Sequence, residues 1–153
     1  MGMASFAEII KRQYDVDIVS VEGAGAAGGM GGAFLAFLGA TLKKGIDMVL
    51  DAIDFDTTIA ESDLVITGEG KVDFQTAKGK TAAGVLQRAK KQHIPVIAIG
   101  GCVEICDSLL QMGFAGIYPI LEEKVPLEVA MQRDFAMSNV TKTVGKIIKE
   151  FKG

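Results

Sequence analysis

The sequence has no tryptophan, one histidine, two cysteines and three prolines in 153 residues, and each scarcity removes a class of function. His93 stands alone, which excludes a metal site of several histidines, and the sequence shows no convincing Ser/His/Asp arrangement around it. Cys102 and Cys106 have no second pair and no partner histidine, which argues against structural zinc and for reduced thiols used in packing. Cys102 is also a poor nucleophile here, because His93 falls before the strand expected at Ile94–Ile99 and Cys102 after it.

Long apolar runs are missing as well. No stretch approaches the roughly 18 residues of a membrane span, and Met1 to Tyr14 lacks the charged start, apolar middle and small-residue cleavage site of a signal peptide. The expectation is a cytoplasmic protein without a membrane partner. A net charge of −3 gives no general attraction to nucleic acid. Lys78, Lys80, Arg88, Lys90 and Lys91 read as a solvated helix face.

What is abundant is apolar residues, 49% of the chain, enough for one packed core. Residues 1–62 read as a helical, glycine-rich connector region and 63–153 as a βαβαβα core, together one α/β domain or part of a larger protein. Met3 to Tyr14 has the spacing of an amphipathic helix. No strand precedes it, so the chain reads as the continuation of something larger. Asp17 to Val21 is a short strand or extended connector leading into GAGAAGGMGG, Gly23 to Gly32. Such a run admits positive φ and close backbone approach. It contains the outline of a dinucleotide fingerprint, Gly23-x-Gly25-x-x-Gly28, but no clean strand carries the acidic residue that fingerprint needs. Helix packing or contact with a phosphate or carboxylate are the other two readings.

A helix over Ala33–Leu38 stopped by Gly39 is expected next, then one over Gly45–Ile53 that buries Ile46, Val49, Leu50 and Ile53. Asp56 or Thr57 is expected to cap a further short turn. From there the pattern alternates: strand Leu64–Thr67, helix Gly79–Gln92, strand Ile94–Ile99, helix Val103–Met112, strand Ala115–Ile120, and a long helix Asp134–Phe151 after Pro126. Connections of that length predict parallel strands with right-handed crossovers. The fold class is therefore α/β, three-layered around a mostly parallel sheet, Rossmann-like or flavodoxin-like, with helices in excess of its three strands.

The polar run after the first of these strands, GEGKVDFQTAKGK, carries the chemistry. Glu69, Lys71 and Asp73 alternate along what reads as an irregular loop, with Gln75, Thr76, Lys78 and Lys80 behind them. Carboxylates of this kind deprotonate a hydroxyl or hold Mg²⁺, and lysines neutralise charge on a transferred phosphoryl group. Capping of the next helix is the other reading of Asp73. Phe74 to Thr81, FQTAKGKT, ends as a Walker A loop ends but opens on Phe74 where that motif requires glycine. Gly100-Gly101-Cys102, after the second strand, would supply backbone donors beside the first, with Glu104 nearby.

VEGAGAAGGMGGAFLAFLGATLKKGIDMVLD from Val21, DLVITGEGKVDFQTAKGKTAAGV from Asp63 and IPVIAIGG from Ile94 together closely resemble the carboxyl-terminal part of the bacterial glycerate kinases. The long GEGxxDxQTxxGK pattern is the specific part. The resemblance implies a two-domain α/β kinase more than twice this length. Its active site lies in the cleft between domains, where a phosphoryl group passes from ATP, with Mg²⁺, to a hydroxyl of D-glycerate. It further implies catalytic roles for Asp73, Glu69, Lys71 and Lys80, and Mg²⁺ contact through Asp73 and Glu69. Substrate or phosphate contact is implied for Gly23, Gly25, Gly28, Gly29, Gly68, Gly70, Gln75, Thr76 and Gly79. Lys71 stands where many relatives carry arginine, and Cys102-Val103-Glu104 departs from the family pattern. The expected partners are the missing amino-terminal segment, a small hydroxy acid and a possible second copy. Two rival readings are a non-catalytic binding or regulatory module derived from the kinase and a dinucleotide-binding oxidoreductase.

Overall fold

A computed structural model describes residues 2–79 and 81–152. The chain divides into two compact units, Met1–Gly45 and Ile46–Gly153.

In the first unit, α1 (Gly2–Tyr14) and α2 (Ala26–Leu38) are the regular elements. Ala7, Ile10, Ile18 and Ala24 form its core, with Phe6, Val16, Val21 and Leu35 against them. Ile18 and Val21 pack from an extended connector; Asp17–Val21 forms no strand. The glycine run is folded back on itself. Ala27, Gly28 and Gly29 take positive φ at the start of α2, and the Gly32 N–H donates to the Ala24 carbonyl at 2.7 Å. A Cβ on Gly31 would stand 2.5 Å from the Gly23 carbonyl oxygen, and one on Gly29 would collide with Met3 Sδ. Absent side chains thus let α2 pack on its own entry loop and on α1. Gly39 ends the helix in the left-handed conformation, as expected.

The second unit is built on three parallel strands in the order β1 (Val65–Val72), β2 (Val96–Val103), β3 (Gly116–Pro119). Helix α3 (Gly45–Ala52), the short α4 (Phe55–Ile59) and α5 (Thr81–Lys91) surround one core with the sheet. There Leu50, Ile59, Leu86, Ala89, Ile94 and Val96 are buried. Short α6 (Asp107–Leu110) and α7 (Leu127–Ala130) precede the 20-residue α8 (Arg133–Lys152). The result is an α/β unit with a small parallel sheet flanked by helices.

Four sequence expectations change. Asp54, not Asp56 or Thr57, stands at the N-cap of α4, and the latter two lie inside the helix. Val49 and Ile53 are exposed, at 56% and 57%, so α3 turns only Ile46 and Leu50 inward. The helix expected over Val103–Met112 shrinks to α6, because β2 runs on to Val103. Most consequential, the glycine-rich ends of both strands are strand, not loop: Glu69 pairs with Gly100, Lys71 with Cys102 and Val72 with Val103. The glycines that resemble punctuation are fitted to the ladder. A Cβ on Gly101 would come within 2.9 Å of the Gly70 carbonyl oxygen, and one on Gly100 within 2.9 Å of a Val72 methyl.

Candidate functional site

Because β1 extends to Val72, Glu69, Lys71 and Asp73 fall on alternate residues of a strand and its exit, and so leave the backbone toward the same side. They take different tasks. Glu69 is half-buried and accepts two hydrogen bonds, one per oxygen: Thr76 Oγ1 donates to Oε2 at 3.0 Å and the Ala82 N–H to Oε1 at 3.0 Å. Ala82 lies in the first turn of α5, where backbone N–H groups lack helical partners and a carboxylate is favoured. Glu69 therefore caps α5 from the neighbouring strand and secures the single 3₁₀ turn Thr76–Lys78 between them.

Asp73 is 5% exposed. Its Oδ1 accepts the Gln75 N–H at 2.8 Å, an Asx turn, and its own N–H donates to Thr76 Oγ1 at 3.3 Å. Thr76, fully buried, thus has its hydroxyl shared between Glu69 as acceptor and Asp73 as donor. Lys71 Nζ is 3.4 Å from Asp73 Oδ2 and 2.8 Å from Glu104 Oε1. The ammonium is held above its usual lysine range chiefly by the hydrogen bond to Glu104, then by Asp73, with partial desolvation opposing both. The lysine acts here as a point charge on a flexible stem that reaches two carboxylates at once.

Glu104 is the residue that the sequence reading undervalued. Its N–H donates to the Val72 carbonyl at 2.9 Å, so it continues the β1–β2 register one step beyond Val103 and arrives opposite Asp73. The signal for it was the parallel pairing, legible only once both glycine ends are counted as strand. Converting Glu104 to Gln is expected to lower the Lys71 pKa toward the ordinary lysine value, read from the lysine side-chain resonances in an NMR titration. Since the folded-state pKa of Lys71 is raised, its contacts stabilise fully below the unfolded lysine value and are lost as pH rises through the folded one. The alkaline unfolding limb should therefore flatten in Glu104→Gln. An unchanged Lys71 titration would remove Glu104 from this role.

Of the other predicted residues, Gly68 and Gly70 lie within β1, and Gln75, Thr76 and Gly79 on the turn that follows. Gly79 caps that turn with φ 94°, and Lys78 Nζ stands 5.1 Å from the Phe74 ring centroid. Lys80 lies outside the described residues. Gly23, Gly25, Gly28 and Gly29 belong to the first unit, where Gly2, Met3, Phe6, Met30 and Ala33 join Gly28 and Gly29 around an apolar hollow. Among the described residues, no group of three or more His, Cys, Asp or Glu side chains gathers as a metal site.

The model of the glycerate kinase family matches residues 1–152. The chain belongs to the glycerate kinase family. It is 43% identical over 152 residues to glycerate kinase of Bacillus cereus, covering 99% of this chain and 39% of that protein. It is also 43% identical over 132 residues to glycerate 2-kinase of Escherichia coli, covering 86% and 35%. A crystal structure from Salmonella typhimurium LT2, of a protein designated glycerate kinase 2, aligns with a TM-score of 0.58 at 35% identity, over 94% of this chain and 38% of that one. The chain thus spans little more than a third of the relatives that it matches. No described helix is long and apolar enough to cross a membrane.

Proposed function

We propose that the chain is the carboxyl-terminal part of a glycerate kinase and supplies one wall of the cleft in which a phosphoryl group passes from ATP to a hydroxyl of D-glycerate. The observation that carries this reading is the cluster Lys71, Asp73 and Glu104 at the carboxyl edge of a parallel sheet, where α/β proteins place their ligands, in a chain matched to the family from end to end. The sheet would be completed, in three-layer Rossmann-like or flavodoxin-like form, by strands outside this chain.

Asp73 takes the proton of the attacking hydroxyl as the new oxygen–phosphorus bond forms and the bond to the ADP oxygen breaks. Lys71 balances the negative charge that builds on the phosphoryl oxygens. Glu69 acts by position, holding α5 and the 3₁₀ turn to the strand that bears both groups. Mg²⁺ is generally held through one or two carboxylates together with substrate phosphates, and the Asp73 carboxylate fits that donor set; Glu69 already accepts a hydrogen bond on each oxygen. When bound, the ion would neutralise phosphate charge. Lys80, which follows the turn directly in sequence, and the Gly23–Gly29 backbone are assigned to phosphate contact on the family resemblance.

A chimera tests the reading. Replacing the matching segment of the Bacillus cereus relative with this chain should preserve D-glycerate-dependent release of ADP in a coupled assay, while the chain alone gives none. A folded chimera without that activity would favour a non-catalytic binding module.

A further inference from the structure

The second unit holds a hollow away from Asp73 that is smaller than the open one of about 520 Å³ beside Phe74, Gln75, Lys78 and Gly79, but more enclosed. It lies where β3 leaves the sheet, between the exit loop Ile120–Val125 and the middle of α8, with a volume of about 470 Å³. That lies within the range of roughly 300–1,000 Å³ usual for small-molecule pockets. Two chemistries meet in it. Ile120, Leu121, Val125 and Phe135 make an apolar wall, and Asn139, Lys142, Thr143 and Lys146 present polar groups from one face of α8.

Lys142 and Lys146 are one helical turn apart, about 6 Å along the axis, and neither is in any ion pair among the described residues. Glu122 and Glu123 line the same hollow from the loop, so its charge is divided: cationic on the helix, anionic on the loop. Asn139 donates its Nδ2 hydrogen to the Phe135 carbonyl at 2.8 Å, leaving the amide oxygen as its remaining acceptor. An apolar slot with an amide acceptor beside it suits an amino-bearing heterocycle, and a pair of ammonium groups along one wall suits consecutive phosphates better than a single anion.

We infer that this cavity binds a nucleoside di- or triphosphate, with the base against Phe135 and the phosphates along Lys142 and Lys146. The two glutamates turn the phosphates toward α8 by repulsion. The inference rests on the phosphoryl-transfer reading above, for which it places the donor nucleotide. Sheet order supports the placement. With β2 between β1 and β3, the ends of β3 and β1 stand two strand spacings apart, roughly 10 Å, and a triphosphate directed across the end of β2 reaches toward Lys71.

Isothermal calorimetry of the chain with ADP, adenosine and inorganic phosphate decides it. ADP should bind, more tightly than either fragment, and the double variant Lys142→Ala/Lys146→Ala should weaken it at least tenfold. Both lysines are exposed, so the variant keeps its fold. On the unmodified chain, ADP should protect both lysines from acylation. No ADP binding at millimolar concentration, equal affinity in the double variant, or no protection would each overturn the site. ADP binding is read on the chain alone by calorimetry and acylation, and catalysis by turnover of the full-length enzyme, so the failure of the catalytic assignment and the failure of this one register in different measurements.

Discussion

Asp73→Asn, made in a full-length enzyme carrying this segment, is expected to lower turnover well over tenfold, a loss of more than roughly 1.4 kcal/mol of transition-state stabilisation. Asparagine retains the size of the side chain and an oxygen for the Gln75 N–H, so the Asx turn persists. What vanishes is the charge facing Lys71 at 3.4 Å and the ability to accept a proton. Turnover should therefore fall with little change in glycerate KM, since ground-state contacts are mostly retained. A variant with near-normal turnover would confine Asp73 to shaping the turn. One that failed to fold, shown by circular dichroism, would be replaced by Lys71→Met, for which a similar fall in turnover is expected.

Thr76→Val should give the largest loss of stability for the smallest change of shape. The two side chains have nearly the same volume, and the site is completely buried, so packing is nearly constant. The substitution strips Glu69 Oε2 of its donor and the Asp73 N–H of its acceptor together. Each polar group left without a partner costs about 1–3 kcal/mol, and partial access of water to Glu69 reduces its share. A loss of about 2–3 kcal/mol is expected in urea unfolding. Thr76→Ser, which preserves the hydroxyl and removes one methyl, should cost about 1 kcal/mol. Equal losses for the two would mean that the methyl packing, and not the hydroxyl bridge, holds the turn.

The sequence and the fold agree where side chains speak for themselves. The stripe of Leu86 and Ala89 on α5, the apolar start of β1 and the alternation of strand and helix after Asp63 all appear as expected. The disagreements have one physical source. Gly100 and Gly101 look like turn residues because most glycine in loops serves backbone freedom; here they permit two strand ends to close on each other. Reading them as loop also shortened β2, displaced α6 and hid the pairing that brings Glu104 to Lys71. Spacing alone picked out charged residues that meet along this strand but could not assign tasks. Nothing in Glu69-x-Lys71-x-Asp73 distinguishes the carboxylate that caps α5 from the one that pairs with Lys71, because Glu69's partners, Thr76 and Ala82, stand seven and thirteen residues further along. The exposed Val49 and Ile53 show the converse: a helical stripe is legible, but how much of it meets a core depends on what lies against it.

The bridge from Glu69 through Thr76 to Asp73 has a consequence for recognition. Rotamers of all three side chains are fixed by contacts within the chain, so the conformational entropy of ordering them is lost on folding and not when a ligand arrives. Affinity at this wall should then carry little entropic penalty from the protein. Loosening the bridge at Thr76 would show itself as a more unfavourable binding entropy even where the contacts finally made are the same.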